Sequence, residues 1–402
     1  MTLKPEKTFR MRYRKRSVEL IALLVISCIF FLFCMHTNKL NSRLKEMEMK
    51  LHPSEFSALG LTGDGVGVEV GGSSSGSNSN HLDSSKPDNI NTLHRTYQYL
   101  KSTGQMQSLN VYDLNNTRKA KMELVFFNRV PKVGSQTFME LLRRLSERNN
   151  FQFNRDAVQK VETIRLAEDQ QQEMAEVISD LPVPSVFIKH VCYTNFSKFN
   201  LPIPIYINVV RDPVERVISW FYYVRAPWYF VERKAAFPDL PLPHPGWLKK
   251  DFETCVLSGD QECTYTQGVS VEGIGDHRRQ SLFFCGHAYE CTPFNTVGAL
   301  ERAKHAVESQ YAVVGVLEDL NTTLAVFEKY IPRFFQGVRE IYDTSAEYLT
   351  KINKNNFKPP VSEKVKDIVR RNFTNEIEFY QFCRQRLHKQ YLAAHLAQKH
   401  LP

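Results

Sequence analysis

Net positive charge is scarce in this chain once its first 17 residues are set aside. The 402 residues have a formal net charge of +9, but residues 1–17 hold seven Lys/Arg and one Glu, which leaves only +3 for the others. The high isoelectric point is therefore mainly a property of a basic tail and does not indicate a polyanion-binding body. We predict no nucleic acid partner. A hydrophobic content of 42% is enough for one large domain with appendages.

Long hydrophobic runs are also scarce. The run Leu20–Met35 has sixteen uncharged residues, fewer than the ~20 that a bilayer core takes, although Val18 and the flank extend it. No clear small-residue cleavage site follows it, which disfavours the alternative of a cleaved signal peptide. Because the preceding flank is positive, we predict a cytoplasmic tail over 1–17 and an uncleaved transmembrane signal anchor over 18–35.

Residues 36–120 are interpreted as a stem between this anchor and a folded domain. Leu40, Leu44, Met47 and Leu51 recur at a spacing typical of a short coiled coil. Residues 59–90 are rich in Gly, Ser and Asn, which indicates a flexible linker. No internal repeat is evident, so we predict one globular domain over 121–402.

The chain lacks the P-loop order G-x-x-x-x-G-K-[ST], and no obvious acidic Mg²⁺ ligand lies near its nearest equivalent, which disfavours a P-loop kinase. It has instead a buried-strand pattern over Leu124–Phe127, then a polar turn, then apolar residues at helical spacing from Phe138 to Leu145. The N–H groups at such a helix start attract phosphate or sulfate, whereas the alternative is an ordinary strand–helix turn. The residues that would bind the anion are Lys132, Val133, Gly134, Ser135, Gln136 and Thr137.

A second segment repeats this arrangement. The apolar run Ile205–Val210 predicts a strand, and Asp212 and Pro213 are suited to begin the helix that follows. Arg211 comes where the strand ends, which is where open α/β sheets bind ligands. Arg211 and Ser219 could therefore hold a second phosphate, unless Arg211 only pairs with a neighbouring carboxylate. The two segments together predict a site for a nucleotide with two separate anionic groups.

Strand and helix patterns alternate through the rest of the domain. Strands are predicted over Ser185–Cys192 and Ala312–Val316, and helices over Ala299–Ser309 and Leu320–Tyr330. This alternation predicts an α/β fold with a parallel sheet flanked by helices. Between and after these elements we expect an irregular insertion over 228–247 and one long terminal helix from about residue 362.

Several motifs in this order resemble the heparan sulfate and uronyl 2-O-sulfotransferase family. They are the runs NRVPK, PIYINVVRDPVERVIS, FFCGH and PRFF, and the likeness covers Val125 to Phe382. The resemblance implies a sulfotransferase fold with a P-loop-like nucleotide site and 3′-phosphoadenylyl sulfate as the sulfate donor. It implies that the turn at Lys132 binds the 5′-phosphosulfate, that Arg211 and Ser219 bind the 3′-phosphate, and that no metal is required.

The resemblance also assigns the chemistry. The family's catalytic histidine falls on His190, which would take the proton of a sugar hydroxyl, whereas a structural histidine is the alternative. Lys132 would stabilise charge on the leaving phosphate. Arg129, and more weakly Arg225, would bind carboxylate or sulfate of the acceptor. Ile188 stands where heparan-type enzymes carry a second histidine, which favours the uronyl or Pipe-like branch.

Cysteines and sequons favour an oxidising compartment. Cys255 with Cys263, and Cys285 with Cys291, flank short loops and match cysteine pairs of the family, so we predict two disulfides. A zinc site that includes His277 and His287 is the alternative, although the spacing fits no standard finger. Sequons that predict glycosylation lie at Asn115, Asn195, Asn321 and Asn372.

These observations predict a single-pass type II Golgi membrane enzyme with a luminal catalytic domain. It would transfer sulfate to the 2-hydroxyl of a uronic acid in a glycosaminoglycan or related acidic glycan, and the family resemblance implies a homotrimer. Two alternatives remain open: a catalytically inactive glycan-binding or scaffold protein of the same fold, and a protein-tyrosine sulfotransferase. The presence of Lys132, His190, Arg211 and Ser219 disfavours the inactive protein.

Overall fold

A five-stranded, wholly parallel sheet in the order β2-β3-β1-β4-β5 positions the candidate site. The computed structural model describes residues 92–160, 163–270, 278–353 and 358–399. The parallel sheet confirms the predicted α/β class. The strands are β1 (Leu124–Asn128), β2 (Gln152–Arg155), β3 (Ser185–Lys189), β4 (Ile205–Val210) and β5 (Tyr311–Val316).

The burial of each strand explains how easily it could be predicted from the sequence. Every residue of β1, β4 and β5 is buried, as expected for central strands covered on both faces. The two runs Leu124–Phe127 and Ile205–Val210 therefore read as strands from composition alone. Strand β2 lies at one edge of the sheet, has no fully buried residue, and gave no such signal.

Fifteen helices lie in the described residues, and those after the first belong to the unit that contains the sheet. Their bounds are α1 (Leu93–Ser102), α2 (Val111–Leu114), α3 (Ser135–Asn149), α4 (Glu168–Ser179), α5 (Pro213–Tyr223), α6 (Pro227–Ala236), α7 (Pro245–Leu248), α8 (Phe252–Leu257), α9 (Leu282–Cys285), α10 (Val297–Ser309), α11 (Leu320–Tyr330), α12 (Pro332–Phe335), α13 (Val338–Asn353), α14 (Glu363–Arg371) and α15 (Thr374–Lys399). Short 3₁₀ turns occupy Asn116–Lys119, Phe196–Phe199, Gln261–Cys263, Tyr289–Cys291 and Leu317–Asp319.

The predicted tail and membrane anchor, and the stem as far as residue 91, lie outside the described residues. None of the described helices combines the length and apolar character needed to cross a membrane. Residues 94–107, which include nearly all of α1, are assigned to a different compact unit from 108–399, which belong to the unit that contains the sheet.

The folded domain begins before residue 121, which is the start predicted from the sequence. Val111 and Leu114 of α2 pack against the main hydrophobic core. The buried Asn116 side chain donates hydrogen bonds to the carbonyls of Glu308 (2.7 Å), near the end of α10, and Tyr311 (3.0 Å), the first residue of β5. These contacts fix the segment to the sheet domain, although its polar sequence resembles a stem.

Two further expectations about the domain were wrong. The insertion 228–247 is partly helical, because Pro227 and Pro245 occupy the first turns of α6 and α7. The terminal helix is two helices, α14 and α15. They are separated at Phe373, whose ring is fully buried against Tyr265 and Phe294.

The cysteine pairing predicted from the family is confirmed. Cys255 is bonded to Cys263, and Cys285 to Cys291, while Cys192 and Cys383 are buried thiols. Of the two histidines weighed for zinc, His277 lies outside the described residues. His287 accepts from the Leu166 amide (3.0 Å) and contacts the Thr194 hydroxyl (2.9 Å), so it has a structural role.

Candidate active site

A cleft of about 1030 Å³ lies where the strands end at the carboxyl edge of the sheet. Side chains predicted from separate parts of the sequence line this single cleft. Val133 does not line it, because its side chain is buried in the core. The predicted residues that line the cleft are Arg129, Lys132, Gly134, Ser135, Gln136, Thr137, His190, Arg211 and Ser219.

The turn between β1 and α3 exposes the start of the helix to the cleft. Lys132 and Gly134 have φ values of 65° and 80°, so the chain turns sharply before α3 begins at Ser135. The positive φ favours glycine at position 134, where a Cβ atom would also lie 2.6 Å from Leu317 Cδ1. No side-chain group caps the N-terminus of α3. Its first N–H groups are therefore available to an anion in the cleft.

Lys132 provides the charge at this turn. Its ammonium lies 3.9 Å from the centre of the Tyr223 ring, a cation–π contact. Burial, with added repulsion from Arg211 and Lys358, lowers the pKa of Lys132 to about 8. A partly desolvated ammonium beside other cations is poised to gain an anionic partner.

We expect the affinity for an anionic nucleotide to fall as pH rises through about 8. Lys132 is charged below that pKa and loses its charge above it, so the attraction is complete on the acid side and lost on the alkaline side. Calorimetric titration with 3′-phosphoadenosine 5′-phosphate between about pH 7 and pH 9.5 measures this change.

Lys132→Arg is the matched control for that titration, because an arginine stays charged over the same range. In this variant the pH dependence should disappear. The same decline in both proteins would show that Lys132 is not the group responsible.

The second turn holds Arg211 beside the first. Asp212 caps α5 by accepting from the amides of Val214 (3.0 Å) and Glu215 (2.9 Å), as its position predicted. Arg211 donates through Nη1 to the Lys132 carbonyl (3.2 Å). The sequence left open a pairing with Glu215, and that contact is present but long, at 3.9 Å. Arg211 thus links the two turns.

The backbone of Arg211 is held by a neighbouring glutamine. The Arg211 amide donates to Gln280 Oε1 (3.3 Å), and Gln280 Nε2 donates back to the Arg211 carbonyl (2.9 Å). Gln280 is fully buried, and its backbone N–H donates to the carboxylate of Glu376 on α15 (2.9 Å). This reciprocal pair fixes the strand end from which the Arg211 side chain projects.

His190 lies one residue past β3, because the strand ends at Lys189 rather than at the predicted Cys192. Its Nδ1 is 2.8 Å from the Arg129 carbonyl oxygen. Since a carbonyl only accepts, Nδ1 carries the proton and Nε2 keeps its lone pair. Burial and the positive charge of Arg129 lower the pKa of His190 to about 3, so the ring is neutral near physiological pH. A neutral imidazole with an available Nε2 can act as a general base.

Arg225 does not belong to this cleft. Its guanidinium is buried between the rings of Phe221 (3.6 Å) and Trp247 (4.1 Å) and pairs with Glu262 at 2.5 Å. The structure therefore gives Arg225 a packing role instead of the predicted contact with an acceptor.

The predicted glycosylation asparagines have different surroundings. Asn195 and Asn372 are exposed, and Asn115 is half-buried with its side chain accepting from the Thr117 amide (3.0 Å). Asn321 is exposed but lines the cleft. A glycan on Asn321 would therefore compete with a ligand for space.

Among the cleft residues that were not predicted from the sequence, two contact the predicted cations. Tyr223, which contacts Lys132, lies one helical turn after Ser219 on α5, so helical periodicity could have indicated it. Glu318 follows β5, and the rule that ligands bind at strand ends applies to it as well. It accepts from the Asp212 amide (3.0 Å) and lies 3.9 Å from Arg211.

Two cation-bearing turns at the carboxyl edge of a parallel sheet, with a neutral histidine at the end of the neighbouring strand β3, define a nucleotide-dependent group-transfer enzyme. Among the described residues, no group of three or more His, Cys, Asp or Glu side chains is arranged to hold a metal ion.

Comparisons with known proteins identify the family. A model described as the sulfotransferase family matches residues 116–383, and the chain belongs to this family. The chain is 42% identical to the uronyl 2-sulfotransferase homolog pip of Drosophila melanogaster, over 96% of this chain and 90% of that protein. It is 32% identical to heparan sulfate 2-O-sulfotransferase 1 of Gallus gallus (68% and 72% covered) and 31% identical to uronyl 2-sulfotransferase of Mus musculus (66% and 62%). The resemblance to the insect Pipe protein and to both groups of 2-O-sulfotransferases is confirmed.

Proposed function

We propose that this protein transfers sulfate from 3′-phosphoadenylyl sulfate to the 2-hydroxyl of a uronic acid in a glycosaminoglycan or related glycan. The observation that carries the proposal is that Lys132, Arg211, Ser219 and His190 line one cleft. Relatives named as uronyl and heparan sulfate 2-O-sulfotransferases support the substrate class.

Each of these cleft residues has a separate proposed role in the reaction. The start of α3 and Lys132 hold the phosphosulfate and offset the charge that develops on the departing phosphate. Arg211 and Ser219 hold the 3′-phosphate. His190 Nε2 takes the proton of the attacking hydroxyl as the sugar oxygen bonds to sulfur and the bond from sulfur to the phosphate oxygen breaks. Arg129, whose guanidinium lines the cleft, contacts an acidic group of the acceptor.

The cellular setting forms part of the proposal. We infer a Golgi enzyme with type II topology, because a basic tail precedes the predicted anchor over 18–35. The two disulfides fit an oxidising lumen. A homotrimer is proposed from the family resemblance.

The test is a sulfate-transfer assay with the full chain. The protein is incubated with sulfur-labelled donor and desulfated heparan, dermatan and chondroitin chains, with a tyrosine peptide as the competing acceptor. We expect label in one of the glycans, and disaccharide analysis should place it on the uronic acid.

The other outcomes separate the alternatives. Label in the peptide alone would identify a protein-tyrosine sulfotransferase. Binding of 3′-phosphoadenosine 5′-phosphate without transfer to any acceptor would favour a glycan-binding or scaffold protein that has kept the donor site.

A further inference from the structure

The order of the strands in the sheet sets the order in which the candidate residues lie across the cleft. Arg211 follows β4, Arg129 follows β1, His190 follows β3, and Arg155 ends β2 at the sheet edge. The residues assigned to the donor follow β1 and β4. An acceptor that reaches His190 from the side opposite Arg211 must therefore pass over the end of β2.

Arg155 stands at that position with an exposed side chain. It lines the main cleft, and it also lines a side pocket of about 60 Å³ together with Arg129 and His190. No residue in the described part of the chain forms a hydrogen bond, ion pair or ring contact with the Arg155 side chain. The fold thus presents a guanidinium next to the candidate base without supplying a carboxylate for it.

Neighbouring cations are engaged, which sets Arg155 apart. Lys189, at the end of β3, pairs with Asp156. Lys160 lies 3.4 Å from Asp239, and its carbonyl accepts from Arg233 of α6 (2.6 Å). The contact between Lys160 and Arg233 joins α6 to the segment after β2, so α6 bounds this end of the cleft.

We propose that Arg155 is a specificity-determining residue that binds an anionic group on the sugar next to the one whose hydroxyl faces His190. This inference rests on the proposed function. Adjacent strands are roughly 4.8 Å apart, a separation comparable with the length of one sugar unit. Arg155 is in register with Ile188, two residues before His190, and Arg155 and His190 line the same side pocket. A guanidinium fork pairs in bidentate fashion with either a carboxylate or a sulfate.

The test measures acceptor use and acceptor binding by Arg155→Ala in the full chain. The acceptors are heparan and dermatan chains, each in sulfated, desulfated and carboxyl-reduced forms. We expect the acceptor KM to rise by about tenfold or more, as for loss of a hydrogen bond to a charged group. The kcat and the affinity for 3′-phosphoadenosine 5′-phosphate should not change.

The chemical forms of the acceptor identify the anion. If Arg155 binds a sulfate, the unaltered protein should prefer the sulfated form and the variant should lose that preference. Carboxyl reduction is the counter-test, because in these chains the sugar next to a uronic acid is a hexosamine without a carboxylate. If carboxyl reduction, but not desulfation, removes the effect of Arg155→Ala, the guanidinium binds the reacting sugar itself and the assignment to its neighbour is overturned. Arg371→Ala is the matched control, because Arg371 is an exposed arginine at the end of α14 that does not line the cleft.

Binding of each glycan to the protein with 3′-phosphoadenosine 5′-phosphate bound is measured without turnover. Equal glycan affinity and KM in Arg155→Ala and the unaltered protein would overturn the assignment of Arg155 while leaving the proposed function intact. If the unaltered protein transfers no sulfate but Arg155→Ala binds glycan more weakly, the proposed function fails and the anion-binding role stands.

Discussion

His190→Ala should lower the rate constant for sulfate transfer by roughly 10²–10⁴-fold, the usual contribution of a general base. The affinity for 3′-phosphoadenosine 5′-phosphate should be unchanged, because His190 follows β3 while the proposed donor contacts follow β1 and β4. Single-turnover rates with labelled donor, together with calorimetry on the same preparation, measure both quantities.

A second substitution separates a base from a structural role. His190→Asn can still donate to the Arg129 carbonyl, which accepts from Nδ1 in the native protein, but it lacks the lone pair of Nε2. If His190 is the base, the asparagine variant is as inactive as the alanine variant. Recovery of transfer in His190→Asn would instead mean that the histidine positions Arg129. His305→Ala, an exposed histidine on α10, serves as the control.

Arg211→Ala should weaken the binding of 3′-phosphoadenosine 5′-phosphate by roughly 30-fold or more, equivalent to about 2 kcal/mol. The variant removes a charged fork and its hydrogen bond to the Lys132 carbonyl. It also leaves Glu318, which lines the cleft 3.9 Å from the guanidinium, facing the nucleotide without the intervening charge. Arg211→Lys restores the charge but not the fork, so we expect an intermediate affinity.

Adenosine 5′-phosphate provides the decisive comparison for Arg211, because it lacks the 3′-phosphate. If Arg211 binds that group, Arg211→Ala should bind the two nucleotides about equally and lose little affinity for the simpler one. Lys132→Ala should weaken both. Equal losses for both nucleotides in Arg211→Ala would refute the assignment of Arg211 to the 3′-phosphate.

The residues proposed to bind the donor could be placed from the sequence because their signals are local. A continuous apolar run predicts a buried strand, and the polar residues that follow it must lie at the carboxyl edge of a parallel sheet. That reasoning placed Lys132 and Arg211 in one cleft, and the structure bears it out. His190 was different, because nothing in its neighbourhood distinguished it from a structural histidine. The family resemblance supplied its role.

The predictions that failed depend on contacts between distant residues. Arg225 pairs with Glu262, which lies 37 residues further along the chain. Helix α15 starts where it does because the Asn295 side chain accepts from the amides of Asn375 and Glu376, about 80 residues away. Neither partnership leaves a periodic trace in the sequence, so local patterns continue through the break in the terminal helix.

The buried pair of Gln280 and Glu376 ties the carboxyl-terminal helix to the proposed nucleotide site. Glu376 accepts from the amides of Gln280 (2.9 Å) and Ser281 (3.2 Å) and from the Ser281 hydroxyl. Gln280 in turn holds the backbone of Arg211. The proposed nucleotide site therefore depends on α15, although none of the described side chains of that helix lines the cleft. A truncation anywhere within the buried part of α15, which includes Phe379, Cys383 and Leu387, should cost donor binding.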